Sequence, residues 1–329
     1  MAENTPALTL VTGASGFIGR WLIQRLLAEG ERVRALVLPD ENVSGLWPDV
    51  VEVVRGSITE RADVAFAVQG ATTVYHLAAM VGDWGQEAQY QRVTVGGTWN
   101  VLQTVAPRTR VVLASSIVVY GHLIGQAVCD EAQSFGRPQG MYSRAKQAQE
   151  KLAWQVAQAR NLPLSVVRPA NVFGAGSRPW VEALLKQMRL GLPALIGDGE
   201  RDAGLCYVEN LVDLLKLAAT HPNAVGKIYN GCDNFGITWK QYVSDLARLA
   251  GLPKPRSLPI GVARAAATAC EAAWRVLRLP DRPPVTHEAV NLTSAHHRIP
   301  SDRARQELGY RPRVSYTEAL QTLAGNIHQ

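Results

Sequence analysis

Three glycines between an apolar strand and an amphipathic helix constrain the fold of this chain more than any other feature. Gly13, Gly16 and Gly19 follow the apolar run 8–12 and open a helical pattern at 16–29. Glycine lets the backbone turn tightly and approach a ligand closely. A helix N-terminus also offers free N–H groups to an anion. This strand–turn–helix context predicts a site for the pyrophosphate of a dinucleotide.

Apolar runs and helix-like runs alternate through the first half of the chain. The pattern predicts strands at 8–12, 33–38, 50–54, 73–77, 110–114 and 164–168, and helices at 16–29, 61–69, 87–105 and 142–160. Such alternation is typical of a parallel sheet covered by helices on both faces. It predicts an α/β fold with a doubly wound parallel sheet.

The pattern loosens after Pro169. A loop is predicted over 171–178, followed by a short strand at 227–230 and helices at 181–190, 208–220, 238–250 and 260–277. We expect a dinucleotide-binding domain over 1–170, with returns near 201–235. A smaller, interleaved C-terminal substrate region would then comprise 171–200 and 236–329.

Composition excludes several classes of function. The net charge is +6, but no block of five like charges occurs, so no nucleic-acid partner is expected. The four cysteines are far apart, without metal-ligand spacing, and predict free thiols in a reducing cytosol and no metal site. The N-terminus lacks a signal-peptide pattern, and no uncharged apolar run approaches the ~20 residues of a membrane span. We therefore expect a cytoplasmic protein.

A tyrosine and a lysine four residues apart open the helix predicted at 142–160. Tyr142 and Lys146 share one helix face, and an ammonium beside a phenol is expected to lower the phenol pKa. Tyr142 would then be a general acid/base. The preceding strand ends in Ser115 and Ser116, and a serine hydroxyl there could hold the substrate oxygen, because ligands bind at strand C-termini in this architecture.

These motifs together resemble the extended short-chain dehydrogenases/reductases, the family of NAD-dependent epimerases and dehydratases with a Rossmann fold. The TGxxGxxG loop is 12–19, the serine segment is 116–121, and the YxxxK pair is Tyr142 and Lys146. The resemblance implies Ser116, rather than Ser115, as the catalytic serine, Tyr142 as the proton donor or acceptor, and Lys146 as a catalytic residue that also binds ribose. Within the family, the chain is similar to the 3β-hydroxysteroid dehydrogenase and dihydroflavonol reductase branch.

The resemblance also implies a set of cofactor-binding residues. These are Gly13, Ser15, Gly16, Phe17, Ile18, Gly19, Asp40, Ser57, Ile58, Leu77, Ala78, Ala79, Lys146, Pro169 and Val172. Ser57 stands where the family usually has an aspartate for the adenine amine, and Thr94 replaces a common asparagine. Val37 and Leu38 occupy the usual position of the NAD-or-NADP selector. Asp40 could reach the ribose, so NAD is expected, with NADP as the alternative.

Three functions remain open from the sequence. The first is oxidation or reduction between a secondary alcohol and a ketone on a largely apolar small molecule, because the segment 258–279 resembles an apolar substrate-side helix. The second is a nucleotide-sugar epimerase with tightly bound NAD, and the third is a non-catalytic dinucleotide sensor. The expected substrate-binding residues are Asp83, Trp84, Ser116, Asn171 and Arg178. The helices at 87–105 and 142–160 resemble those of a family homodimer, so a homodimer is expected.

Overall fold

A parallel sheet forms the centre of the computed structural model, which describes residues 7–279 and 281–327. In chain order, the strands are β1 (Leu8–Thr12), β2 (Arg32–Val37), β3 (Glu52–Arg55), β4 (Ala71–His76), β5 (Arg110–Ala114), β6 (Leu164–Pro169), β7 (Asn171–Phe173), β8 (Leu195–Ile196), β9 (Leu205–Tyr207), β10 (Ile228–Gly231) and β11 (Ser257–Leu258). The seven-stranded sheet has the order β10-β6-β5-β4-β1-β2-β3. Its neighbouring strands all pair in parallel.

Helices connect these strands and cover both faces of the sheet. In chain order they are α1 (Phe17–Ala28), α2 (Arg61–Ala67), α3 (Glu87–Tyr90), α4 (Gly97–Thr104), α5 (Met141–Arg160), α6 (Ala183–Arg189), α7 (Val208–Thr220), α8 (Trp239–Leu249), α9 (Ile260–Val276), α10 (His287–Ser294), α11 (Asp302–Leu308) and α12 (Tyr316–Ile327). Helices α1 and α7 pack together, as do α4 and α5. The predicted fold class, a doubly wound parallel sheet, is confirmed.

Each central strand contributes residues to two separate hydrophobic cores, one on each face of the sheet. Leu10 belongs to the core beneath α4 and α5, whereas its neighbour Val11 belongs to the core beneath α1 and α7. Val111 and Val112 of β5 divide in the same way. Successive strand residues point to opposite faces, so burial of both faces produces the nearly continuous apolar runs seen in the sequence.

The structure departs from the predicted elements in two places near the sheet. The helix predicted at 87–105 is divided by a π-helical turn at Gln91–Gly96, between α3 and α4. The loop predicted at 171–178 begins with β7, which pairs in parallel with β9. A three-residue strand is too short to show a period, and its partner lies far along the chain, so local sequence patterns did not indicate it.

The C-terminal half both returns to the sheet and builds a smaller layer. Strand β10 completes the edge beside β6, while β8 and β11 form a separate two-stranded pair. Helices α9 and α10 pack together around a small cluster of Ala263, Ala267 and Val290. Residues of α9 and α10 in this layer line a cavity described below.

Within residues 7–279 and 281–327, no helix is long and apolar enough to cross a bilayer. In the same residues, no group of three or more His, Cys, Asp or Glu is placed to hold a metal ion. The four cysteines are free thiols.

Truncation of a buried α1 side chain should measure how much the sheet depends on this helix. Leu22 is completely buried, so Leu22→Ala should lower the free energy of unfolding by about 2–5 kcal/mol through lost burial and a residual cavity. Urea denaturation gives the value. Leu190 is 65% exposed, and Leu190→Ala is the matched control, expected to change stability by less than about 0.5 kcal/mol. Equal losses in the two variants would contradict the packing described for α1.

Candidate active site

The glycine turn after β1 forms a cradle that only glycine can build. Gly13 has a φ of 67°, and a Cβ there would lie 2.8 Å from the backbone nitrogen of Ala78. A Cβ on Gly19 would collide with the carbonyl oxygens of Gly13 and Ala14. Gly16 caps α1 without a side chain, so the first-turn N–H groups have no side-chain acceptor. The turn therefore fits the pyrophosphate of a dinucleotide.

The other residues predicted around this turn lie at neighbouring strand ends. Ser15, Phe17, Ile18, Leu77, Ala78 and Ala79 are half-buried around the turn, and Pro169 and Val172 are buried at the end of β6 and in β7. Leu77 donates its N–H to the carbonyl of Thr12 at 3.2 Å. Strands β1, β4 and β6 belong to one parallel sheet, and their C-terminal ends therefore form one edge.

The adenosine side of the site contains an arginine that sequence reasoning did not assign. Arg55 donates from Nη1 to the carbonyls of Pro39 and Glu41, both at 2.9 Å, and so holds the turn after β2. Asp40 lies exposed in that turn. Ser57 donates its N–H to Asp63 Oδ2 at 2.8 Å.

Ile58 packs against α4 on the same side of the site. It is buried, and its side chain fills the space where a Cβ on Gly97 would stand. Its carbonyl accepts a hydrogen bond from Asn100 Nδ2 at 2.9 Å. These contacts fix the loop after β3 against α4.

The structure brings the predicted catalytic serine and tyrosine together. Ser116 follows β5 as the cap of a 3₁₀ turn, and its Oγ accepts a hydrogen bond from the N–H of Val118 at 3.3 Å. Tyr142 lies in the first turn of α5, and its phenol lies close enough to the Ser116 hydroxyl for the serine to lower the pKa of Tyr142. A serine hydroxyl and a phenol at one point can both contact a single substrate oxygen.

Lys146 is held one turn further along α5. It is 3% exposed, and its Nζ donates to the carbonyl of Ala114 and to Gln149 Oε1, both at 2.9 Å. Its Nζ lies 6.0 Å from the centroid of the Tyr142 ring. The predicted proximity on one helix face is therefore present.

The expected pKa effect of the lysine is not present. Burial raises the pKa of Tyr142 to about 12, against the lowering effect of the nearby Ser116 hydroxyl. Burial also lowers the pKa of Lys146 to about 7, although the nearby Glu150 carboxylate acts to raise it. The sequence interpretation, in which Lys146 lowers the tyrosine pKa, is corrected here, because desolvation outweighs a charge at this distance.

A buried chain of hydrogen bonds connects Lys146 to the glycine turn. From Gln149 Nε2 the chain runs to Thr98 Oγ1 (2.8 Å), from there to His76 Nε2 (2.9 Å), and from His76 Nδ1 to Thr12 Oγ1 (2.8 Å). Burial, followed by the charge of Lys146, lowers the pKa of His76 to about 3, so the imidazole is neutral.

The direction of this chain follows from its ends. Thr98 donates its hydroxyl proton to the carbonyl of Thr94 at 2.7 Å, so it accepts from both Gln149 and His76. The His76 proton is therefore assigned to Nε2, and Nδ1 accepts from Thr12. Thr12 Oγ1 in turn accepts the N–H of Ala78 at 3.3 Å. Each donor in this chain therefore faces an acceptor, and each acceptor faces a donor.

A second buried network, centred on Glu150, also holds α5. Glu150 forms an ion pair with Arg168 of β6, in which both side chains are no more than 3% exposed. Glu150 Oε2 also accepts from Ser115 Oγ at 2.7 Å, and Arg168 donates to the Tyr120 hydroxyl at 3.0 Å. Ser115 therefore has a structural partner, which leaves Ser116 as the serine beside Tyr142.

A cavity of about 300 Å³ has Val118 and Ser143 in its wall, each close in sequence to a residue of the predicted triad, whereas Ser116, Tyr142 and Lys146 do not themselves line it. Its walls are formed by the turn after β5, the start of α5, α9 and α10. They are apolar at Val118, Ile124, Ile260, Leu292 and Ala295, and charged at Arg137, Arg201, Arg264 and Glu288. The cavity suits a molecule with both apolar and polar parts.

The segment 258–279 contributes less apolar wall than its composition indicated. Ile260 lines the cavity, but Val262, Val276 and Leu277 are 52%, 80% and 65% exposed. The sequence interpretation is corrected for these three residues, which face solvent. Helical periodicity identified the helix without specifying which side faces the cavity.

Four of the predicted substrate-binding residues have other contacts. Asp83 forms a salt bridge with Arg282, with Oδ2 and Nη2 at 2.6 Å, and the Trp84 ring lies 5.3 Å from the Arg275 guanidinium. Asn171 is buried and donates to the carbonyl of Ala203 at 2.6 Å. Arg178 lies exposed at the start of a π-helical turn. None of these four belongs to the cavity wall given by the described residues.

Sequence reasoning missed the polar residues that support the site. Gln149 and Glu150 follow Lys146 on α5, so helical spacing could have indicated them as neighbours of the YxxxK pair. Glu288 lines the cavity but lies more than 140 residues further along the chain than the pair. No local pattern indicated its position.

Comparison with known proteins agrees with this geometry. A family model described as the NAD dependent epimerase/dehydratase family matches residues 9–232. The chain is 29% identical over 319 residues to a Stigmatella aurantiaca protein named 4-hydroxy-2-methyl-3-oxo-4-farnesyl-3,4-dihydroquinoline-1-oxide ketoreductase, covering 96% of this chain and 95% of the relative. It is 29% identical over 329 residues to the 2-alkyl-3-oxoalkanoate reductase of Stenotrophomonas maltophilia, covering 95% and 97%.

A solved structure shows the same architecture. The UDP-glucuronic acid 4-epimerase from Bacillus cereus, in complex with UDP-glucuronic acid and NAD, has a TM-score of 0.77. The alignment is 22% identical and covers 98% of this chain and 99% of that one. At this identity the similarity concerns the fold.

The family match confirms the resemblance drawn from the sequence motifs, and the two relatives named as reductases are consistent with the suspected branch. The expectation of NAD agrees with a family defined by its dependence on this cofactor. Because the family model spans more than half of the residues, the chain belongs to the NAD dependent epimerase/dehydratase family.

Proposed function

We propose that this protein is an oxidoreductase of the short-chain type that interconverts a secondary alcohol and a ketone on a largely apolar small molecule, with NAD as cofactor. The observation that supports the proposal is the proximity of Ser116 and Tyr142, next to a cavity whose wall has both apolar and charged parts. The names of two relatives, a ketoreductase and a 2-alkyl-3-oxoalkanoate reductase, support ketone chemistry.

Each residue of the triad has a distinct role in this proposal. When bound, the nicotinamide supplies or accepts the hydride. Tyr142 gives its phenolic proton to the carbonyl oxygen during reduction and removes it from the alcohol during oxidation. Ser116 donates a hydrogen bond to the same oxygen. Lys146, fixed by Ala114 and Gln149, orients the ribose.

The cofactor would lie along the edge formed by the ends of β1, β2, β4 and β6. The proposed contacts are the glycine turn at 13–19 for the pyrophosphate, Asp40 for the ribose, and Ser57 and Ile58 beside the adenine. The Arg55 guanidinium is bound by two backbone carbonyls, which favours NAD over NADP, because a 2′-phosphate would compete for it. In this arrangement 1–170 binds the dinucleotide, and the cavity lies between it and the later segments.

A nucleotide-sugar epimerase is the second candidate, and one observation favours it. Arg137, Arg201 and Arg264 line the cavity, and guanidinium groups bind phosphate groups well. The two candidates differ in whether the cofactor leaves after each turnover.

Replacement of the tyrosine hydroxyl tests the catalytic assignment. Tyr142→Phe should lower kcat for reduction of apolar ketones by about 10²–10⁴, because the proton donor is lost. The rate is followed by the absorbance of the reduced nicotinamide. Tyr229→Phe is the control, since its hydroxyl contacts Asn223 and Glu307, away from the cavity. Full turnover by Tyr142→Phe would refute the catalytic role of Tyr142, whereas a wild type that binds the dinucleotide but turns over no ketone would favour a dinucleotide sensor.

The fate of the cofactor separates the two enzyme candidates. A dehydrogenase should purify largely without nucleotide and turn over added NADH many times with a ketone. An epimerase should release about one NAD per chain on acid denaturation and need no added cofactor. Chromatography of the released nucleotide measures the difference. Stoichiometric retained NAD with no net ketone reduction would overturn the dehydrogenase proposal.

We also propose a cytoplasmic homodimer. The free thiols suit a reducing compartment. Trp99 of α4 is 45% exposed, an unusual position for a tryptophan on a surface, and it lies on the helix expected to form the dimer.

Substitution of this tryptophan tests the dimer. Trp99→Glu should convert the dimer to a monomer, because a buried charge would disfavour the interface. Light scattering after size-exclusion chromatography gives the mass. Leu190→Glu, at another exposed apolar residue, should leave the mass unchanged. A wild-type monomer, or a Trp99→Glu dimer, would argue against the proposed interface.

A further inference from the structure

Glu288 is a buried carboxyl group that the proposed reaction does not use. Glu288 is the second residue of α10 and is 7% exposed. It also contributes to the cavity wall. Neither carboxyl oxygen accepts a well-formed hydrogen bond from the described residues. A carboxyl group in such a position costs stability unless something offsets its desolvation.

The group lies against the start of the catalytic helix. A Cβ on Gly140, the residue that caps α5, would collide with Glu288 Oε2. The carboxyl group of another helix therefore occupies the space that a cap side chain would take. Helix α5 carries both Tyr142 and Lys146.

The cap of α5 is half complete without Glu288. Ser143 Oγ accepts the N–H of Gly140 at 3.0 Å and that of Gln139 at 2.9 Å. In a complete capping box, a side chain at the cap residue would accept the N–H of Ser143 in return. Gly140 has no such side chain. The Ser143 N–H and hydroxyl instead lie close enough to Glu288 to lower its pKa.

Other charged and titratable groups face this carboxyl from every surrounding element. Burial raises the pKa of Glu288 to about 7, and the charges of Asp83 and Glu271 act in the same direction. Asp83 is paired with Arg282, and Glu271 of α9 with Arg275. Tyr90 of α3 and Tyr142 of α5 each have a pKa that the Glu288 charge helps to raise. The cations on the same cavity wall are Arg137, Arg201 and Arg264.

We propose that Glu288 is a positioning residue, whose carboxyl group occupies the place of the cap side chain that Gly140 lacks and whose charge controls proton exchange at Tyr142. The inference rests on the proposed role of Tyr142. Because both carboxyl oxygens are shielded from solvent, Glu288 acts through α5 and the tyrosine rather than by contact with substrate. Helix α10 thereby becomes part of the catalytic arrangement.

An isosteric substitution separates charge from shape. Glu288→Gln keeps an oxygen acceptor for the Ser143 N–H but removes the negative charge near Tyr142. The pKa of Tyr142 should fall, so the limb of the alcohol-oxidation profile that requires the tyrosinate should move to lower pH by about half a unit or more. Glu288→Ala should produce the same shift and, in addition, lower the Tm. Glu87→Gln is the control, since Glu87 also contacts α5, through Arg144, but is exposed; its profile should match the wild type.

Thermal unfolding tests the placement without any activity. A carboxyl whose folded-state pKa is raised adds stability below its unfolded value, near 4.5, and this contribution is lost as the pH rises through about 7. The Tm of Glu288→Gln relative to wild type should therefore rise between pH 5 and pH 8, by about a few degrees. Parallel Tm curves together with superimposable rate profiles would overturn the inference.

The inference about Glu288 can be tested even if the proposed function is wrong. If the wild type oxidises no secondary alcohol, the ionisation of Tyr142 is read from tyrosinate absorption, as the difference between each protein and its Tyr142→Phe counterpart. A midpoint that is lower in the Glu288→Gln background supports the inference even without turnover. An unchanged midpoint refutes it.

Discussion

The site depends on the buried hydrogen-bond chain that joins the glycine turn to the catalytic helix. Thr12 lies at the end of β1, His76 at the end of β4, and Gln149 on α5, and each is satisfied by the next. Because an unpaired buried polar group is costly, the chain fixes the register of these elements. The same register also sets the position of Lys146, since Gln149 Oε1 is one of the two acceptors of its ammonium group.

Helix α5 is held from more than one side by polar groups, while its apolar residues provide the packing energy. The buried Glu150–Arg168 pair ties the helix to β6, and Ala153 and Val156 bury it in the core shared with α4. Buried ion pairs contribute little net stability compared with apolar packing. Their effect here is geometric, because the pair permits one orientation of the helix. Contacts of the same helix with Ala114 and Ser115 hold Tyr142 near Ser116.

Periodic features of the sequence were predictable, and features set by distant partners were not. Leu10 and Val11 are both apolar because each faces a different core, so β1 and its glycine turn could be placed from the sequence. The approach of Tyr142 to Lys146 followed from helical spacing, but the direction of the tyrosine pKa did not, since burial is not visible locally. Asp83 illustrates the same limit. Its partner Arg282 lies 199 residues away, so the carboxylate was assigned to substrate binding.

The C-terminal layer meets the catalytic region mainly through polar contacts. Arg282 with Asp83, Arg275 with Trp84, and Glu288 with the start of α5 all join it to the dinucleotide-binding side, whereas its own buried cluster contains Ala263, Ala267 and Val290. Partly exposed ion pairs contribute little free energy each, so this layer should open more readily than the sheet. An opening there would expose the cavity and remove Glu288 from α5 in the same movement. One helix, α10, both lines the cavity and contacts the cap of α5, so a displacement of this layer would change the cavity and the surroundings of Tyr142 together.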